Sequence, residues 1–376
     1  MKLLKASVTA ALVGVSVLGM AIAAPTPTQA QGSVPVDVWA LRDVVNAVQI
    51  SPDGKHLLVH KVESRDGDYI LEVYKTDDLS KPLRRLNANP MEIIAAQWVS
   101  NDVIFGSAWQ VNRKTVKGPE EDVRDYKTYS YSLEANKFTS VDGNFGIVNL
   151  LPNDPDNVLV STGTTVGDGT GVDPFAAFRP RSYYKYNLKT GARSLVLRGG
   201  GKFPVVDRWD NEGNPRFTQV QDAAAGTVSS YYRLPGDGEW KKFQEFDLND
   251  PKNLYRVLGG FHGIVGFDPG NPNIGYLIEN PNGEDKAGLY EFDFTTGKIG
   301  KKLFQAQDAD VMSIQLHSIP GNDKLAAARY SGRIMERHWF DEDEKALYEA
   351  LEKQIPYSYQ VAISSRSLDG LSLIHI

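Results

Sequence analysis

The stretch ISPDGKHLLV, residues 50–59, decides how this chain reads. An apolar lead-in meets Ser51-Pro52-Asp53-Gly54-Lys55, and an alternating apolar run leaves it. Pro52 presets φ for a turn, Asp53 tolerates the bend, and Gly54 takes positive φ before the strand resumes. Asp53 is thus expected to serve the turn rather than to carry chemistry. What matters is whether the pattern recurs.

It recurs along the whole chain. QWVSNDVIFGSAWQV (97–111), IVNLLPNDPDNVLVSTG (147–163) and VVDRWDNEGNPRFTQVQ (205–221) have the same shape. GIVGFDPGNPNIGYLIE (263–279) and SIQLHSIPGNDKLAAARY (313–330) follow, and QVAISSRSLDG (360–370) reaches the same turn once more. The turns return roughly every fifty residues, close to the ~40–50-residue period of propeller blades. Each unit also has a second alternating half, such as YILEVYKTDD (69–78), SYYKYNLKTGARSLVLRG (182–199) and GLYEFDFTTGKIGKKLF (288–304). Gly191 and Gly297 stand where those second hairpins need positive φ. Two hairpins per unit make one four-stranded antiparallel blade. The fold expected is all-β, a seven-bladed β-propeller with about six complete blades plus the start of the last. A short amphipathic helix over 341–355 interrupts the sixth unit, with acids in its first turn and Leu347, Leu351 and Ile355 on one face.

Composition agrees with many short strands and tight turns. The 376 residues include 17 Tyr, 15 Phe, 34 Gly and 20 Pro, with 41% hydrophobic and 23% charged. Net charge is −6 and long basic runs are missing, which argues against nucleic acid as a partner. Cysteine is absent, so neither disulfide nor thiol chemistry is available. The first 30 residues read as a secretory signal: Lys2 and Lys5, an apolar run over 6–23, then small residues at 21–23 and 28–30. The rest, 31–376, is expected to be a periplasmic or secreted propeller, with no membrane association after cleavage.

Motifs for chemistry are sparse. A strand-to-helix Gly-x-Ser-x-Gly elbow is missing; residues 370–374, GLSLI, lack the final glycine. His56 and His60 are four apart on a strand, too distant for easy co-ligation. VGDGTGVD (166–173) has glycines but not the Gly-Lys-Ser/Thr ending of a phosphate loop. No metal and no cofactor is expected. GPEED (118–122) puts Glu120 and Glu121 in a long loop of the second unit, where either could meet a peptide amine.

The signal, the blade openings SPDGKHLLV and QWVSNDVIF, and the segment 327–370 with RHWFDEDEKALYEALEKQI and SSRSLDG carry a resemblance. They are similar to the N-terminal β-propeller of a prolyl oligopeptidase family serine peptidase, of the bacterial acylaminoacyl-peptidase or dipeptidyl-peptidase-like branch. That resemblance implies a seven-bladed propeller followed by an α/β-hydrolase domain with a Ser-Asp-His triad. The propeller would cap that site and admit only short peptides. No position matches the family's nucleophile motif, so no catalytic residue is carried over. Glu120 and Glu121 match loosely the propeller acids that hold a substrate amine in dipeptide-trimming members. The chain is expected to stop inside the seventh blade, leaving the ring unclosed and the hydrolase domain absent. This reading makes the chain the substrate-gating, inactive part of an exported peptidase. A non-catalytic scaffold for proteins or peptides is the alternative; velcro closure by a strand around 36–48 would mark it. A sugar-active propeller, with carboxylates converging on the channel, is a third.

Overall fold

The computed structural model describes residues 42–376 except 65, 114–122, 143, 163–179, 254–256, 258–261, 282–283, 320, 333, 356–360, 371 and 376. Residues 1–30, expected to be a secretory signal, lie outside these residues. Among the described residues, no helix is long and apolar enough to cross a membrane.

Every sheet is antiparallel and follows sequence order. The first holds β1 (Val45–Ile50), β2 (His56–Val62), β3 (Tyr69–Lys75) and β4 (Arg84–Leu86). The second holds β5 (Glu92–Trp98), β6 (Val103–Arg113), β7 (Val123–Ser132) and β8 (Lys137–Asp142). The third holds β9 (Phe145–Asn149), β10 (Asn157–Thr162), β11 (Ser182–Asn187) and β12 (Arg193–Arg198). The fourth holds β13 (Arg208–Trp209), β14 (Pro215–Asp222), β15 (Thr227–Tyr232) and β16 (Lys241–Asp247). The fifth holds β17 (Gly263–Asp268), β18 (Asn271–Glu279), β19 (Gly288–Asp293) and β20 (Lys298–Phe304). A sixth has three strands, β21 (Val311–Leu316), β22 (Leu325–Ser331) and β23 (Met335–Trp339), followed by helix α1 (Glu342–Gln354). The seventh, among the described residues, is β24 (Ala362–Arg366) with β25 (Ser372–His375). This is the β-propeller arrangement expected from the repeat.

The repeated turn behaves as its sequence requires. Ser51 Oγ donates to Asp53 Oδ1 at 2.6 Å, Lys55 N donates to the same oxygen at 3.2 Å, and Gly54 has φ +74°. Asp53 is spent on the turn. The last copy repeats it: Ser367 Oγ donates to Asp369 Oδ1, and Gly370 has φ +93°.

The core is a series of layers between neighbouring sheets. Along β10, Val158 and Val160 pack towards Phe105 of the second sheet, while Leu159 packs towards Val206 and Trp209 of the fourth. Along β18, Tyr276 and Ile278 join Val311 of the sixth sheet, and Leu277 joins Phe217 of the fourth. Successive side chains of a strand point to opposite faces. A middle strand covered on both faces therefore reads as an unbroken apolar run. Each fully buried aliphatic side chain contributes about 2 kcal/mol.

One expectation needs correction. The ring was expected to stay unclosed, yet the seventh sheet bonds to the first. Ile50 N donates to Ser365 Oγ at 3.1 Å, and Leu368 N donates to the Pro52 carbonyl at 2.8 Å. The first and last copies of the turn thus lie side by side; a sheet needs only its inner strands to cover its neighbour. Of the 36–48 segment whose velcro closure would mark the scaffold reading, residues 36–41 lie outside the described residues, and β1, from Val45, pairs with β2 inside the first sheet.

The helix begins where the acids predicted. Asp341 caps it, its Oδ1 accepting from Asp343 N and Glu344 N at 3.1 Å each. Its buried face differs from the leucine stripe read from sequence. Glu344 and Tyr348 are buried, while Leu347, Leu351 and Ile355 are only half-buried. Partners from two other segments, described below, make the buried glutamate possible.

Candidate functional site

In each full sheet, the first-to-second and third-to-fourth turns lie at one end of the strands. At that end the described residues enclose a cavity of about 710 Å³. Four consecutive sheets build it: residues 149–153 from the third, 208–216 from the fourth, 265–272 from the fifth and 316–323 from the sixth. A pocket of several hundred cubic ångströms is of small-ligand size.

Amides and carboxylates tie the turns together across the cavity. Asn149 Nδ2 donates to Asn211 Oδ1 at 3.2 Å, and Asn211 Nδ2 donates in turn to Asp323 Oδ2. Asn153 Nδ2 donates to Glu212 Oε1 at 3.3 Å. Asn211 therefore bridges the third, fourth and sixth sheets. Pro152 and Gly321 also approach: a Cβ on Gly321 would stand 3.8 Å from the proline Cβ.

Beneath this layer a buried ion pair fixes the wall. Arg216 is fully buried on β14. Its Nη1 reaches Asp210 Oδ2 at 3.1 Å, its Nη2 the Pro272 carbonyl at 2.6 Å and its Nε the Arg233 carbonyl at 3.0 Å. The guanidinium lies 4.3 Å from the Phe294 ring and 5.0 Å from that of Phe267. Burial pulls its pKa below the usual arginine value, and Asp210 opposes that. Asp210 Oδ1 also accepts from Asn214 N at 2.8 Å. Every nitrogen of Arg216 is engaged, so the pair is structural.

The cavity's remaining polar groups are amides, the Asp268 carboxylate, the partnered Glu212 and Asp323, and Arg208, whose Nε donates to the Ile264 carbonyl at 3.1 Å. Amides both donate and accept, as a peptide backbone does. This set suits binding of a polar chain. Carboxylates do converge here, as a sugar-active propeller would need, but Asp210, Glu212 and Asp323 are each held by a protein partner. Among the described residues, no group of three or more His, Asp or Glu could hold a metal ion.

Elsewhere a serine, a histidine and an acid do meet. Ser318 Oγ donates to Glu344 Oε1 at 2.9 Å, and His317 Nε2 lies 3.2 Å from the same oxygen. A nucleophile relay needs the imidazole between hydroxyl and carboxylate. Here His317 Nδ1 accepts from Ile319 N at 3.2 Å, so Nε2 carries the proton and points at Glu344. Arg366 Nη1 adds bonds of 2.8 Å to both Ser318 Oγ and Glu344 Oε1. Ser318 has no base to activate it; the cluster joins α1, the sixth sheet and the seventh.

The other sequence candidates are placed as follows. Glu120 and Glu121 lie outside the described residues, as does 166–173. His60 is not a metal ligand: Asn46 Nδ2 meets its Nδ1 at 2.9 Å and its Nε2 meets the Ile93 carbonyl at 3.1 Å. His338 stacks on Phe304 with ring centres 4.1 Å apart. Sequence reading missed Asn149, Asn211 and Asp323, because each turn was judged alone. The available signal was the repeat itself: Asn or Asp in the same turn of four successive units must gather at one end of the channel.

No protein-family model matches the chain, and no curated protein matches it. Solved structures with a similar arrangement include acylaminoacyl peptidase of Pyrococcus horikoshii, at 13% identity and a TM-score of 0.40, covering 89% of this chain and 50% of that one. Prolyl oligopeptidase B from Galerina marginata, bound to a 25mer macrocyclization substrate, shows 10% identity and a TM-score of 0.43, with coverages of 86% and 46%. The β-propeller domain of the trilobed protease from Pyrococcus furiosus, described as having an open velcro topology, shows 11% identity and a TM-score of 0.34, covering 80% and 86%. They are of the kind that the sequence resemblance named. The chain spans about half the length of the two enzymes. At such identity the likeness concerns fold alone, and one fold hosts many activities.

Proposed function

We propose that this chain is the substrate-gating propeller of an exported serine peptidase of the prolyl oligopeptidase family, and that the parent protein cleaves short peptides through an acyl-enzyme. The cavity shared by four consecutive sheets carries the reading: it is of peptide-fragment size and lined by amides and carboxylates. The sequence resemblance supplies the peptidase class, and the hydrolase domain is the partner this reading requires. Glu120 and Glu121 stay proposed contacts to the substrate amine.

Two measurements test it. The chain alone should bind unblocked di- to tetrapeptides, and Asn211→Ala with Asp323→Ala should weaken binding tenfold or more. It should leave chromogenic peptide substrates intact. Turnover abolished by a serine-directed inhibitor, or failure to bind any short peptide, would overturn the proposal. The bonds between first and last sheets favour the second reading, a self-standing binding scaffold. A downstream reading frame without a Gly-x-Ser-x-Gly domain would decide for it.

A further inference from the structure

Five sheets have a fourth, outer strand, and each of those strands carries lysine or arginine. Among them are Arg84 and Arg85 on β4, Arg193 and Arg198 on β12, and Lys298, Lys301 and Lys302 on β20. Charged outer strands discourage pairing with other chains. The sixth sheet differs. It stops at β23, whose second edge pairs with no described strand.

Helix α1 does not take the missing strand's place. It packs on one face of the sheet, with Tyr348 5.2 Å from the Trp339 ring. Between it and the second edge of β23 lies a cavity of about 260 Å³. Met335, Trp339 and Tyr348 give it apolar surface, and Glu336, Glu349 and Glu352 line it with three carboxylates. Its one cation, Arg337, is turned inward. Arg337 Nη2 donates to the Val361 carbonyl at 2.8 Å, Nε donates to Gln315 Oε1 at 3.1 Å, and Nη1 lies 3.5 Å from Glu352. Its side chain is 10% exposed. The groove is therefore acidic where all five outer strands bear cations.

We propose that this groove binds a basic, extended peptide segment of a partner protein as the fourth strand of the sixth sheet. Backbone groups of the β23 edge supply the ladder, as in other strand-addition complexes. Alternate side chains of an extended strand point to opposite faces. One set of the guest's residues covers Trp339 and Tyr348 beside Glu349 of α1, and the other, charged set meets Glu336 on the opposite face of the sheet. The site is independent of the channel cavity and of the peptidase reading.

The test uses the whole chain and a fluorescent nonapeptide alternating Lys and Val, followed by anisotropy at low salt. Three results are expected: saturable binding, at least tenfold loss when alternate peptide nitrogens are methylated, and at least fivefold loss in the Glu336→Gln, Glu349→Gln double variant. Methylation keeps the peptide's charge, blocks the ladder and leaves the protein untouched, so the outcome does not hang on the variant's folding. Equal binding of the methylated peptide would reduce the effect to charge alone and overturn the proposal. So would an unaffected double variant, no binding, or a chain whose copies associate through this groove without peptide.

Discussion

Two buried arginine–carboxylate pairs join successive sheets, and they are finished to different degrees. At the junction of the fourth and fifth sheets, Arg216 has a partner for every nitrogen and a ring within 5.0 Å on two sides. Where the sixth sheet and α1 meet the seventh, Glu344 takes Ser318, Arg366 and His317 on Oε1, while its buried Oε2 and the buried Arg366 Nε have no partner among the described residues. Buried charges stabilise little in net terms, but breaking a complete pair is costly because the survivor is stranded. The more complete the pair, the larger the loss on truncation should be.

The comparison can be broken by mutation. Arg216→Ala should cost about 3–5 kcal/mol in urea unfolding, because Asp210 stays buried without its counter-charge. Arg366→Ala should cost less, about 2 kcal/mol, since Glu344 keeps its contacts to Ser318 and His317. Equal losses would mean that completeness of pairing does not set the cost. Asp341→Ala, which removes the α1 cap beside the second pair without touching it, should cost about 1 kcal/mol. A loss as large as that of Arg366→Ala would show that helix position, not the ion pair, holds the junction.

The smallest effect concerns pH, and it extends the comparison to the first sheet. His60 resembles Arg216 in that both ring nitrogens are partnered, here in the neutral form. Burial lowers its pKa below 6.5, as it does for His56 and His338. A lowered folded-state pKa means that the unfolded chain takes the proton first as pH falls. The stability from these histidines is full above pH 6.5 and is lost as pH falls below it, through the folded-state values. Melting temperature should decline between about pH 7 and pH 5, and His60→Gln should flatten that slope. An unchanged slope would show that His60 plays no part in it.

Much of the fold was legible because its information is local. Ser-x-Asp-Gly specifies a turn through its own side chains, and Gly54, Gly191 and Gly297 have the positive φ that their positions required. The apolar runs of β10 and β18 follow from burial on both faces. The candidate site was less legible. Asn149, Asn211 and Asp323 look like ordinary turn residues, and nothing in one turn says that another lies across from it. The glutamate pair at 120–121 attracted attention because adjacent acids stand out in a linear string, a property unrelated to where they sit.

Sequence alone determined the blades: strand alternation, turn chemistry and the helix cap at Asp341 depend on residues within a few positions of each other. Tertiary structure decided what those blades build between them. The bridge at Asn211, the buried place of Glu344 and the contact of the first turn with the last each join groups from different sheets, as far as 315 residues apart for Ile50 and Ser365. Hydrogen bonds and ion pairs act over a few ångströms, and only the circular stacking of sheets brings such distant residues within that reach.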